Sequence, residues 1–139
     1  MDLTPHMVTG AAVGARVRRP AAMLSLAFAS HYVLDTVPHF NIGWINGLTL
    51  NGAIDLGLGL VLCGIVAWKV RSWAPLAGAL AAVLPDAPGL KEPLEGPTSA
   101  LLPHRTWGPP WGIVAEAVVT ILALTWAGVQ GIRTSGRIS

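Results

Sequence analysis

Cysteine is all but absent: Cys63 stands alone in a chain of 139 residues, so no intrachain disulfide can form and the redox compartment leaves no trace. It lies in an apolar run and reads as a small packing residue. Charge is scarce too, with 12% charged residues against 53% hydrophobic ones and a mean hydropathy of +0.58. So few charges cannot cover a soluble globule of this size, and the composition points to an integral membrane protein. No Lys or Arg precedes the first apolar stretch, and a cleavable signal peptide is not expected. Also missing are a Ser-His-Asp order, a glycine-rich phosphate loop and a Cys-pair zinc motif, which sets aside the corresponding chemistries. No clear repeat is visible, and this argues against an inverted-repeat transporter. The formal charge of +2 and pI near 9.2 would suggest an anionic partner in a soluble protein. Here the basic residues collect at the ends of apolar segments, so nucleic-acid binding is not expected.

What is present is a run of apolar segments punctuated by proline. The expected fold class is all-α: a polytopic membrane bundle of about five helices forming a single domain over residues 1–139. Three segments, 20–37, 48–70 and 111–132, are expected to span, and two, 5–17 and 74–84, are short. The first begins at Pro5, a favoured first-turn residue, and reaches only about 20 Å, so it cannot cross alone unless its start is buried in protein. Pro38 ends the second segment and Pro85 and Pro88 stop the fourth. Residues 86–110 are rich in Pro and Gly and too long for a tight turn, a candidate lid or binding loop, while 133–139 reads as a flexible tail. Gly10 with Gly14, Gly59 with Cys63, and Ala74, Gly78 and Ala82 are spaced for close helix approach.

Orientation follows from the basic residues. Arg16, Arg18, Arg19, Lys69, Arg71, Arg133 and Arg137 fall at alternate segment ends, which puts those ends and the C-terminus in the cytoplasm and leaves Lys91 and Arg105 opposite. Trp44, Trp107 and Trp111 then mark the outer boundary and Trp68 and Trp73 the inner one; Trp126 has no place in this belt.

Counted from the basic ends at about 1.5 Å per residue, His6 lies about 15 Å up, His31 about 18, Asp55 about 21, Asp86 about 22, Asp35 about 24 and Glu116 about 26. Groups from separate segments are thus expected in one layer of the outer half of the membrane, where ionisable side chains mark functional sites. His31 and Asp35, four residues apart, share a helix face and could ligate one ion, or the carboxylate could orient the imidazole. A buried hydrogen bond between helices is the competing reading. Asp55 is a candidate base or ligand, against a carboxylate satisfied by nearby donors. Asp86 follows Pro85 and competes with a turn-forming role. Glu116, one turn into its segment, is a further candidate ligand, against meeting that helix's positive end. His104 and Arg105 lie in the long loop, Arg105 as a candidate phosphate contact, and His39 sits just past Pro38 as a further ligand or an interfacial histidine. This donor set suits a divalent zinc or manganese ion able to polarise a phosphoryl oxygen and activate water.

At these residues the chain resembles the YdjM-like family of small inner-membrane metal-dependent hydrolases. The family shows an early histidine, an L-P-D-x-D segment, an H-R-x-x-T-H segment and an S-H-x-x-x-D segment. His6 stands for the first, Leu84-Pro85-Asp86 and His104-Arg105 match the starts of the next two, and Ser30-His31-Tyr32-Val33-Leu34-Asp35 matches the last. The order differs, Pro88 stands where a second Asp would, and no His follows Thr106. The resemblance implies a multi-pass inner-membrane protein with metal ligands His6, His31, Asp35, Asp86 and His104, acting on a phosphoester of a membrane lipid. The alternative from composition is a non-catalytic small subunit of a larger membrane complex, its small-residue faces packed on partner helices and a histidine ligating metal, pigment or haem.

Overall fold

The computed structural model describes residues 2–39, 50–87 and 107–128. Among these it is all-helical, with α1 (Leu3–Arg16), α2 (Pro20–Asp35), α3 (Leu50–Val70), α4 (Ala74–Val83) and α5 (Trp111–Gly128), plus a 3₁₀ turn, Leu84–Asp86, that closes α4. The expected loop over 86–110 and the tail 133–139 fall mostly or wholly outside the described residues.

α1 is the central helix. It packs on all four others, most extensively on α4, while α2 also packs on α4. Nearly every residue from Thr4 to Gly14 is buried in this helix of 14 residues, about 21 Å long. Contact pairs give the directions. Gly10 faces Gly78 and Gly14 faces Ala74, so α4 runs antiparallel to α1, whereas Asp55 meets Leu3 and Gly59 meets Met7, so α3 runs parallel.

The small residues explain the intimacy of this packing. A β-carbon placed on Gly10 would run into the Gly78 carbonyl oxygen, one on Gly78 into the Gly10 carbonyl oxygen, and one on Gly14 into the Ala74 carbonyl oxygen. All three spaced small-residue patterns therefore lie at interfaces with α1, and Cys63 is fully buried in the core with Val8, Ala11 and Ala12. Backbones this close gain dispersion contacts that larger side chains would prevent.

α3 and α5 are long and apolar enough to cross a membrane, with mean hydropathies of 1.9 and 1.6. Only 22% and 17% of those windows are buried, unlike the core helix of a soluble protein, and side chains such as Leu50, Ile54, Leu58, Val61 and Ile121 face outward. The third crossing expected over 20–37 is not shown: α2 stops at Asp35 after 16 residues, about 24 Å. Its end tightens into i→i+3 bonds, Thr36 N–H to the Val33 carbonyl and Val37 N–H to the Leu34 carbonyl, before Pro38 is reached.

The turn from α3 to α4 is a Schellman arrangement. Arg71 has φ 52°, its N–H donates to the Trp68 carbonyl and the Ser72 N–H to the Ala67 carbonyl, and Pro75 then opens α4. At the other end of α5, Arg16 donates through Nε and Nη2 to the Trp126 carbonyl, with its guanidinium 5.4 Å from the Trp126 ring centroid. Trp126, which the interfacial belt left aside, thus receives the cation that ends α1.

Candidate metal centre

α1 and α2 cross where His6 and His31 stack, ring centroids 4.3 Å apart and planes 25° from parallel. Both imidazoles are fully buried. Asp35, one turn beyond His31, places a carboxylate across their edges: Oδ1 is 3.2 Å from His6 Nε2 and Oδ2 is 3.2 Å from His31 Nε2. Asp86, at the end of the 3₁₀ turn, has Oδ1 at 3.9 Å from His31 Nε2.

The far side of His31 fixes its chemistry. Nδ1 lies 3.0 Å from the Ala82 carbonyl oxygen, and a carbonyl can only accept, so Nδ1 carries the proton. Ala82 is in the last turn of α4, where main-chain carbonyls lack helical partners. In the neutral ring Nε2 is then a lone pair facing a carboxylate, a repulsive pairing unless a cation or proton lies between. Neither His31 Nε2 nor His6 Nε2 makes a hydrogen bond of good geometry to the described residues. Leaving such atoms buried without compensation costs about 1–3 kcal/mol each.

His6, His31 and Asp35 could hold a metal ion, each offering one ligand atom, all within 4.8 Å of one another. The fit is physical. Ligands about 2.0–2.1 Å from a tetrahedral zinc lie about 3.3 Å apart, and each imidazole Nε2 stands 3.2 Å from a different oxygen of the Asp35 carboxylate. An imidazole donating its other N–H to a backbone carbonyl is the usual support of a ligating histidine.

The remaining sequence candidates divide. Asp55 is not brought to this cluster: its carboxylate accepts from the main-chain N–H of Leu3 (2.7 Å) and Thr4 (3.3 Å), while the Thr4 hydroxyl donates to the Asp55 carbonyl. Glu116 Oε1 accepts from the Asp2 N–H at 3.2 Å. These two carboxylates come from α3 and α5 to meet the unpaired N–H groups and positive end of α1, the need any buried helix start creates. Glu116 thus serves α1 rather than the first turn of its own helix. His39 is fully buried, with Nδ1 at 2.7 Å from the Val37 carbonyl, and its own carbonyl accepts from the Trp107 N–H. His104 and Arg105 lie outside the described residues.

Two participants escaped the sequence reading. The Ala82 carbonyl carries no side-chain signal, and only the small-residue spacing of α4 hinted that its backbone would come close. Asp2, buried beside Glu116, could have been noticed as an acid just before a helix that starts inside the bundle. Against family models, curated proteins and solved structures the chain shows no match.

Proposed function

We propose that the protein is an integral membrane, metal-dependent hydrolase of lipid phosphoesters, with a divalent zinc or manganese ion held by His6, His31 and Asp35. One observation carries this reading: with Nδ1 committed to the Ala82 carbonyl, His31 turns a lone pair, together with His6 Nε2, onto a single carboxylate. That arrangement supports a ligand set, since a metal would satisfy all three groups together where one proton satisfies only part. Three protein ligands leave coordination positions open for substrate, as in catalytic rather than structural zinc sites. The ion would supply Lewis-acid polarisation of a phosphoryl oxygen and a water made nucleophilic near neutral pH.

The outward apolar faces of α3 and α5 support lipid as the surrounding medium. By the basic ends, the site sits in the outer half of the inner membrane with the C-terminus cytoplasmic. The resemblance to YdjM-like proteins supports the same chemistry through motifs whose His6, His31 and Asp35 lie together and beside Asp86.

Elemental analysis of the detergent-purified full chain tests the reading. The wild type should carry about one equivalent of divalent metal per chain, and His31→Ala and Asp35→Ala should each lose it. A metal-free wild type that co-purifies with stoichiometric partner chains would replace it with the non-catalytic subunit.

A further inference from the structure

The charges of the described residues are sorted by end. α3 runs parallel to α1 and α4 antiparallel; α2 is also antiparallel, since His31 stacks on His6 while Met23 and Ala27 share a core cluster with Val13. The carboxylates Asp2, Asp35, Asp55, Asp86 and Glu116 therefore lie toward the end where α1 begins, and the cations Arg16, Arg18, Arg19, Lys69 and Arg71 at the end where it stops. There the two interhelical links come together. A β-carbon on Gly14 would meet the Ala74 carbonyl oxygen and Pro75 Cα, so Arg18 and Arg19 follow within five residues of that contact and Lys69 and Arg71 precede it within five. Arg16 is held on the Trp126 carbonyl, whereas Arg18, Arg19, Lys69 and Arg71 are exposed, and among the described residues no carboxylate stands at this end to neutralise them. We propose that this end of the bundle binds anionic phospholipid headgroups, their phosphates held by Arg18, Arg19, Lys69 and Arg71.

Two features favour a lipid over a soluble anion. Trp68 and Trp73, beside Lys69 and Arg71, are 78% and 82% exposed; indoles left uncovered next to cations suit headgroup depth, where the ring meets acyl chains and the N–H meets the polar layer. Val61 and Ile65 are exposed too, at four-residue spacing before Lys69 on the same face of α3. A phosphate that Lys69 reaches is thus one carried by a lipid whose chains lie along that apolar face. A guanidinium also fits a phosphate bidentately, and near an anionic surface each Lys or Arg strengthens association about fivefold.

The backbone at Arg71 points the same way. Its φ of 52° is left-handed, a conformation that glycine takes without strain and most other residues rarely adopt, and the turn it makes needs that conformation and no side chain. Orientation in the membrane does not call for an arginine there, since Arg16, Arg18, Arg19 and Lys69 already mark this end. Keeping a cation where glycine would serve the fold better gives the charge a use of its own. The surface is separate from the metal centre: Arg16 lies ten residues along α1 from His6, about 15 Å.

This surface needs the membrane part of the reading above and not the metal, so the test is run with EDTA present. The full chain in neutral detergent micelles is titrated with phosphatidylglycerol, with phosphatidylcholine, and with two water-soluble polyanions, polyglutamate and a single-stranded oligonucleotide, at one salt concentration. Phosphatidylglycerol should bind at least about tenfold more tightly than phosphatidylcholine, and the preference should persist in Asp35→Asn. Lys69→Gln should weaken it about fivefold and the Arg18→Gln, Arg19→Gln double variant about 25-fold. Arg71→Gly should weaken it about fivefold while raising the lipid-free thermal midpoint, so that its loss of binding does not come from unfolding. Equal affinity for the two lipids, or variants that bind phosphatidylglycerol as the wild type does, overturns the proposal; tighter binding of either polyanion than of phosphatidylglycerol overturns it in favour of a soluble partner. Each of these failures leaves the metal centre standing, and a protein that holds no metal leaves this surface standing.

Discussion

Asp35 and Asp55 are both carboxylates on apolar helices, and their surroundings give them opposite tasks. Asp35 faces two imidazole nitrogens; Asp55 faces two main-chain N–H groups at the start of α1. Asp55→Asn would turn a donor toward donors and leave part of the α1 terminus unsatisfied, at a cost of about 1–3 kcal/mol. Unfolding in detergent should show that loss with metal content unchanged, whereas Asp35→Asn should lose metal first. A metal-free Asp55→Asn protein with wild-type stability would reverse the assignment. The His31 and Asp35 pair could be read from the sequence because one helix carries both, and His6 could be placed by counting depth from Arg16. The partners of Asp55 could not. They are backbone amides 51 and 52 residues away, and no side-chain pattern marks a helix start that must be capped from a neighbour.

Among elements, close packing of α1 on α4 holds the His6–His31–Asp35 group in register, because α1 carries His6 while the end of α4 anchors His31. Gly10→Ala would force its β-carbon onto the Gly78 carbonyl and the Ala82 side chain, both on one packed helix that cannot yield alone. The expected cost is about 1–3 kcal/mol as an overpacked interface, with weakened metal binding because His6 moves. Gly57→Ala is the control: nothing lies within 4 Å of its β-carbon, and replacing a mid-helix glycine gains about 0.5–1 kcal/mol. Comparable destabilisation by both would show that the interface is not where the structure puts it. Element positions were largely legible, since Pro20 and Pro75 open helices and small-residue spacing marks their contact faces, although α1 starts at Leu3, two residues before the expected Pro5. The length of α2 was not. Pro38 gave an outer limit, but the i→i+3 bonds of Thr36 and Val37 end the helix earlier, and such tightening depends on local geometry that residue type does not dictate.

Across the whole molecule, the candidate metal ligands join helices that are otherwise held by contacts between small side chains. His6 belongs to α1, His31 and Asp35 to α2, and the Ala82 carbonyl ties the same imidazole to α4. An ion shared by these groups binds the assembled bundle and not a state in which α1 has left it. Mass action then adds stability that grows with free metal, about 2.7 kcal/mol at a hundredfold excess over the dissociation constant. Chelation should therefore lower the thermal midpoint of the wild-type protein in detergent, and zinc or manganese, but not magnesium, should restore it. Imidazole donors favour the former pair over an ion that prefers oxygen and keeps its waters. Asp35→Asn should melt at one temperature with or without chelator, because the linkage runs through the ligand set alone. A wild-type midpoint indifferent to chelator would mean that the stacked imidazoles and their carboxylate are held by a proton, and that α1 is kept in place by its glycine contacts and capped terminus without help from a metal.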